Sequence, residues 1–195
     1  MDLAAGYLRG GARFLQFRAK AMPGNTFLAT ASALVRLARD HDARLVINDR
    51  ADIARLAGAD GVHVGQDDLS PAAVRSILGD LSIVGLSTHT IEQIDRAVLE
   101  PVTYIAVGPV FGTTTKVTGK EQVGLERVRE AAARARARRL PLVAIGGVTL
   151  ENAISILEAG AASVAVISDL LVSGDPEGRV RAYVDRLSRS QARRV

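Results

Sequence analysis

The sequence predicts an α/β fold: a (β/α)8 barrel without its first strand, built as one domain over residues 1–195. Three observations predict it. Short β-branched and apolar runs alternate with longer helical segments, the pattern of βα units and a parallel sheet. Most of those runs are continuously apolar, as strands covered on both faces require. The length of 195 residues lies just under the lower limit of about 200 for this barrel.

The strand candidates are Phe14–Phe17, Leu45–Ile47, Val62–Val64, Ile83–Leu86, Tyr104–Val107, Leu142–Ile145 and Val164–Ile167. Seven strands are each followed by a helix, and a short helix over Asp2–Arg9 comes first with no strand before it. A closed barrel needs eight, so the absent strand is expected upstream of Met1. The strands flanking the gap would then be Phe14–Phe17 and Val164–Ile167. The helices carry their own punctuation. Thr26 is placed to cap a helix running to about Asp40. Ser70-Pro71 sets an N-cap before a proline at the first helical position, where the missing N–H costs nothing. Thr90 with Gln93 three residues on resembles a capping box. Thr149 is expected to cap a helix ending at Gly160, a C′ glycine. Asp175-Pro176 opens the last helix.

Composition narrows the function classes. Half the chain (48%) is hydrophobic and 24% is charged, which excludes wholesale disorder. The absence of Cys excludes disulfide scaffolds and thiolate metal sites and fits a cytoplasmic protein. No apolar run approaches the roughly 20 residues of a membrane span, and the start lacks the features of a signal peptide. The net charge of +4 comes mainly from Arg127–Arg139 and Arg179–Arg194. Both read as solvated helix faces, and with only 4% aromatic residues base-stacking platforms are scarce.

Functional groups of such a barrel gather at the C-terminal ends of the strands. After the first strand, period-two alternation points Gln16, Arg18 and Lys20 the same way. Two cations and an amide on one face suit a diphosphate. The second and third strands end in Asn48-Asp49-Arg50 and His63-Val64-Gly65-Gln66-Asp67-Asp68. Asp49 and Asp68 can converge on one hard cation, and Mg2+ takes one or two carboxylates together with phosphate oxygens. Each motif alone has a plain structural alternative: a surface basic pair, a turn residue at Asp49, a loop cap at Asp67 or Asp68. Together they read as a Mg-diphosphate site. Ser87, at the fourth strand end, can donate to an anion or a leaving-group oxygen. Gly108–Lys116, with three threonines and a lysine, reads as a phosphate clamp, and Lys116–Gly124 as a polar lid. Gly146-Gly147 and Ile167-Ser168 end the strands whose loops form the common barrel phosphate site.

These residues, in this order across about 14–169, resemble the thiamine-phosphate synthase family. The carriers are Gln16-Phe17-Arg18-Ala19-Lys20, Asn48-Asp49-Arg50, Gly61 through Asp68, Gly85-Leu86-Ser87-Thr88-His89, Gly108-Pro109-Val110-Phe111 through Lys116, Ile145-Gly146-Gly147 and Val166-Ile167-Ser168. The resemblance implies a (β/α)8 barrel that joins a hydroxymethylpyrimidine diphosphate to a thiazole phosphate, releasing pyrophosphate and thiamine phosphate. It implies that Gln16, Arg18, Lys20 and Asn48 hold the pyrimidine diphosphate, and that Asp49 and Asp68 bind Mg2+ as cofactor. Ser87, Lys116 and Arg18 would serve the departing pyrophosphate. Thr113, Thr115, Gly147, Ile167 and Ser168 would hold the thiazole phosphate. The partners implied are small molecules, with a homo-oligomer possible and neither nucleic acid nor membrane involved. Two departures stand out: the family's first strand is absent, and Ala19 replaces a commonly acidic residue. The competing readings are a thiazole tautomerase of the same fold, which needs no diphosphate metal site, and a non-catalytic phosphate-ligand binder.

Overall fold

The computed structural model describes residues 1–112 and 121–192, with side chains as far as Arg189. The elements run α1 (Asp2–Arg9), β1 (Phe14–Phe17), α2 (Gly24–Arg39), β2 (Arg44–Asn48), α3 (Ala51–Ala57), β3 (Gly61–Val64), α4 (Pro71–Leu78) and β4 (Ile83–Thr88). They continue with α5 (Ile91–Ala97), β5 (Tyr104–Val107), α6 (Gly124–Ala137), β6 (Leu142–Ile145), α7 (Ala153–Glu158), β7 (Ser163–Ala165), a 3-10 turn (Ser168–Leu171) and α8 (Pro176–Ala192). The seven strands form one parallel sheet in the order β1 to β7. Each pairs with its sequence neighbour. All seven expected strands are present, and β1 and β7 are the two edges. This is the α/β barrel architecture one strand short.

Two faces of the sheet do different work. The outward side chains pack against the helices. Leu45, Ile47, Val62, Val64, Val84, Ile105, Val107 and Leu142 join Phe27, Val35, Val74, Ile94, Val128 and Ile156 in one buried cluster. Each fully buried Ile or Val there contributes about 1.5–3 kcal/mol. The inward face is set by register. Asn48 lies opposite His63, His63 opposite Gly85, and Gly85 opposite Tyr104. Phe14 of β1 meets Tyr104 of β5 edge-on across the interior, with ring centroids 5.8 Å apart. Alternation then turns Gln16 inward as well, while Phe17 points outward and stacks on Phe27 of α2 at 4.7 Å. Beside the unpaired β1 edge the inner face opens to solvent: Phe14 is 47% exposed.

Most of the punctuation holds. The Ser70 hydroxyl accepts from Ala73 N–H at 3.2 Å, Thr90 and Gln93 form a capping box, and Asp175 Oδ1 accepts from Gly178 N–H at 2.9 Å. Three expectations shift. Helix α2 begins at Gly24, after an extended Pro23. Its first turn is closed by Phe27 N–H donating to Pro23 C=O at 2.8 Å, so Thr26 lies inside the helix. Thr149 does not cap α7. It exchanges hydrogen bonds with Asn152 (2.9 and 3.3 Å) in a turn that delays the helix to Ala153. The seventh strand runs Ser163–Ala165 rather than Val164–Ile167. Its ladder to β6 stops at the Ile145–Ala165 pair, because Gly146 and Gly147 turn β6 away with positive φ and β7 has no second neighbour. Ile167 therefore stands on the connection, and Ser168 opens the 3-10 turn. No helix among the described residues is long and apolar enough to cross a membrane.

Candidate active site

The ends of β1 to β4 form the charged half of the site. Lys20 Nζ lies 3.3 Å from Asp49 Oδ2, so the β1 basic motif and the β2 acidic motif meet. Gln16 and Arg18 are exposed. Asn48 is the last residue of β2 and is buried. Asp49 follows it with φ of +64°, a left-handed conformation that short polar side chains tolerate. The kink swings the carboxylate off the strand line while Asp49 N–H still donates to His63 C=O at 2.9 Å. Lys20, Asn48, Asp49 and Arg50 line a pocket of about 190 Å³ over Met22 and Phe27.

Asp68 reaches the same place from the β3 loop. One of its oxygens accepts from Gly65 N–H at 2.7 Å, which holds the carboxylate above the strand end. Partial burial first, and then the hydrogen bond and like charge of Asp68, push the Asp49 carboxyl above its usual range; Lys20 pulls it back. Two carboxylates crowded together with one flexible ammonium form an arrangement that a divalent cation would relieve. The donors are all oxygen, without His or Cys, which fits Mg2+ rather than a softer metal. Among the described residues no cluster of three or more metal-ligating side chains occurs. Any Mg2+ here would therefore need water and ligand oxygens to complete its shell.

The fourth strand contributes Ser87. Its hydroxyl lies 2.8 Å from His63 Nε2, and its C=O accepts from Gln66 Nε2 at 2.6 Å. His63 Nδ1 lies 2.7 Å from Tyr104 Oη. Gly85 makes this possible: a Cβ there would sit 2.2 Å from Tyr104 Cζ and 2.4 Å from His63 Nδ1. Gly85→Ala is accordingly expected to destabilise the fold by about 1–3 kcal/mol through overpacking, read as a lower midpoint in urea unfolding. Ser87 is the donor expected from the sequence; His63 and Tyr104 behind it were not expected to be functional. The one sequence signal for them is a lone glycine inside an apolar strand, which marks close approach of another group.

The opposite half comes from the loops after β5, β6 and β7. Gly147 has φ of +63°, and a Cβ there would lie 2.6 Å from Gly112 O and 2.7 Å from Phe111 Cβ. The β5 and β6 loops are thus in backbone contact. Gly112 N–H donates to Gln122 Oε1 at 3.1 Å. Ile167 and Ser168 are exposed beside them. The next residue, Asp169, is buried and fixes the arrangement. It accepts from Leu150 N–H at 3.1 Å, Tyr183 Oη at 2.6 Å and Arg179 at 2.9–3.1 Å. Asp169 was not singled out by sequence. Thr113, Thr115 and Lys116, with most of the expected lid, lie outside the described residues.

Comparisons with known proteins bear on the family and the fold. The family model described as thiamine monophosphate synthase matches residues 1–170. A thiamine-phosphate synthase of Roseiflexus sp. (strain RS-1) is 44% identical over 181 residues, covering 93% of this chain and 75% of that protein. One from Koribacter versatilis is 46% identical over 181 residues, covering 91% and 82%. Among solved structures, a thiamine phosphate pyrophosphorylase from Pyrococcus furiosus superposes with a TM-score of 0.88 at 28% identity, covering 97% of this chain and 89% of that one. A 3-hexulose-6-phosphate synthase, 17% identical with a TM-score of 0.64 over 94% and 93% of the two chains, shares the fold alone. With the family model spanning most of its length and relatives above 40% identity, this chain belongs to the thiamine monophosphate synthase family.

Proposed function

We propose that the protein is a cytoplasmic thiamine-phosphate synthase, a transferase that moves a pyrimidinylmethyl group from diphosphate to the nitrogen of a thiazole phosphate. The observation that carries the reading is the meeting of Lys20, Asp49 and Asp68 at three adjacent strand ends, across from the Gly146-Gly147 and Ile167-Ser168 loops. A trianionic diphosphate matches the first half and a monophosphate the second.

Arg18 and Lys20 bind the diphosphate oxygens, and Gln16 and Asn48 orient the pyrimidine. Asp49 and Asp68 would hold Mg2+, which when bound supplies positive charge to the diphosphate. Ser87 and Lys116 donate to the departing pyrophosphate. The bond between the methylene carbon and the diphosphate oxygen breaks, and its electron pair leaves with pyrophosphate. The aminopyrimidine stabilises the methylene cation until the thiazole nitrogen lends its lone pair to that carbon. Thr113, Thr115, Gly147, Ile167 and Ser168 hold the thiazole phosphate so that the nitrogen is aimed. The reaction needs no nucleophile or general base from the protein; it rests on positioning and electrostatic stabilisation. The test is to supply both substrates with Mg2+ and follow products. Thiamine phosphate and pyrophosphate are expected in equal amounts. Metal-independent conversion of the thiazole phosphate alone, with no pyrophosphate released, would contradict the reading and favour a tautomerase.

A further inference from the structure

We propose that His63 and Tyr104 are positioning residues: a buried relay in which Tyr104 fixes the tautomer of His63, and His63 turns the Ser87 hydroxyl hydrogen toward the ligand. The proposal rests on the reading of Ser87 as a donor to the leaving diphosphate.

Tyr104 is the inner end of the relay. Its ring is buried, and among the described residues its hydroxyl makes one hydrogen bond, to His63 Nδ1 at 2.7 Å. Burial pushes the phenol far above its ordinary pKa, so the hydroxyl keeps its hydrogen. A buried hydroxyl with a single nitrogen partner satisfies that hydrogen only by donating it. Nδ1 is then the acceptor nitrogen of a neutral imidazole, and the ring's hydrogen resides on Nε2. Nε2 lies 2.8 Å from Ser87 Oγ and donates to it. An oxygen that accepts from His63 along this line must send its own hydrogen elsewhere. The strand end beside Gln66 and Asp68 is the side on which the diphosphate is expected. The sheet supports the geometry independently. His63, Gly85 and Tyr104 occupy one register row, and the absence of a side chain at Gly85 lets the two rings stack at 5.4 Å across it.

The chain has three histidines, His41, His63 and His89, so the tautomer can be read directly. In 15N-histidine-labelled wild-type protein, assigned by elimination with His41→Gln and His89→Gln, His63 should carry its hydrogen on Nε2. Kinetics supply the second readout. Tyr104→Phe keeps the ring and removes the hydroxyl. It should lower kcat about five- to tenfold, the worth of one buried hydrogen bond, with KM unchanged. In a Ser87→Ala background the same change should cost nothing further. A hydrogen on Nδ1, or a full Tyr104→Phe effect without Ser87, would overturn the relay while leaving the role of Ser87 intact. Undiminished turnover in Ser87→Ala alone would overturn both. The tautomer is measured on the wild type, so the test survives if Tyr104→Phe fails to fold.

Discussion

Replacing Asp49 by Asn is expected to lower kcat/KM by about 100- to 1000-fold while raising, not lowering, the melting temperature of the ligand-free protein. The activity loss follows from removing half of the carboxylate pair that would hold the metal against the diphosphate. The gain in stability follows from linkage. The folded-state pKa of Asp49 lies above its unfolded value, so the folded chain keeps the proton to higher pH. Ionisation therefore opposes folding once pH passes the unfolded pKa, and the penalty is complete above the folded one. At neutral pH the uncharged amide of the variant carries no such penalty, and Asn suits the φ of +64° as well as Asp does. Loss of the Lys20 contact subtracts little, because Lys20 is largely exposed. Thermal unfolding without metal at pH 7 and at pH 4 checks this. The variant should be the more stable at pH 7, and the difference should shrink at pH 4. A fall in melting temperature at pH 7 would mean that Asp49 serves the fold rather than the ligand.

Asp169→Ala should have the largest effect on stability. The substitution removes the acceptor from Arg179, Tyr183 and the Leu150 N–H at once. The carboxylate and the guanidinium are 9% and 18% exposed, so the loss leaves a charge and a hydroxyl buried without their partner. Breaking such a pair costs about 3–5 kcal/mol. Glu151, 3.7 Å from Arg179, can take up part of the charge, so about 3 kcal/mol is expected. For a chain of this size that corresponds to roughly 6–12 °C in melting temperature. The functional consequence is specific. Asp169 ties the β7 connection to α8 and to the loop after β6, so thiazole-phosphate binding should weaken more than binding of the pyrimidine diphosphate. Paired titrations of the two substrates against the folded variant check it; equal losses would contradict a role in shaping only that half.

The fold was legible because its signals are periodic and local. Seven apolar runs between helical segments read as βα units, and Ser70-Pro71 and Thr90 through Gln93 fixed two helix starts by hydrogen bonding within a single turn. Legibility failed where a tertiary contact overrode a local cue. Thr26 resembles a cap, but Pro23 starts the helix earlier. Val164–Ile167 resembles a strand, yet its only neighbour turns away at Gly146. The convergence of Lys20 with Asp49 and of Asp49 with Asp68 was legible because parallel strands deliver successive strand ends to one rim. The His63–Tyr104–Ser87 chain was not, because those residues lie 41 and 24 positions apart and only the register brings them together. Asp169 was overlooked for a related reason: its partners Arg179 and Tyr183 lie on α8, where arginines read as a solvated face.

The proposed diphosphate site at the ends of β1 to β4 is completed by a divalent cation between Asp49 and Asp68. Calorimetric titration of the wild-type protein with inorganic pyrophosphate, in Mg2+ and in EDTA, tests it most directly, with Asp49→Asn as the control. Binding that requires Mg2+ in the wild type and is lost in the variant is the predicted result. Equal affinity with and without metal, unchanged by Asp49→Asn, would contradict it.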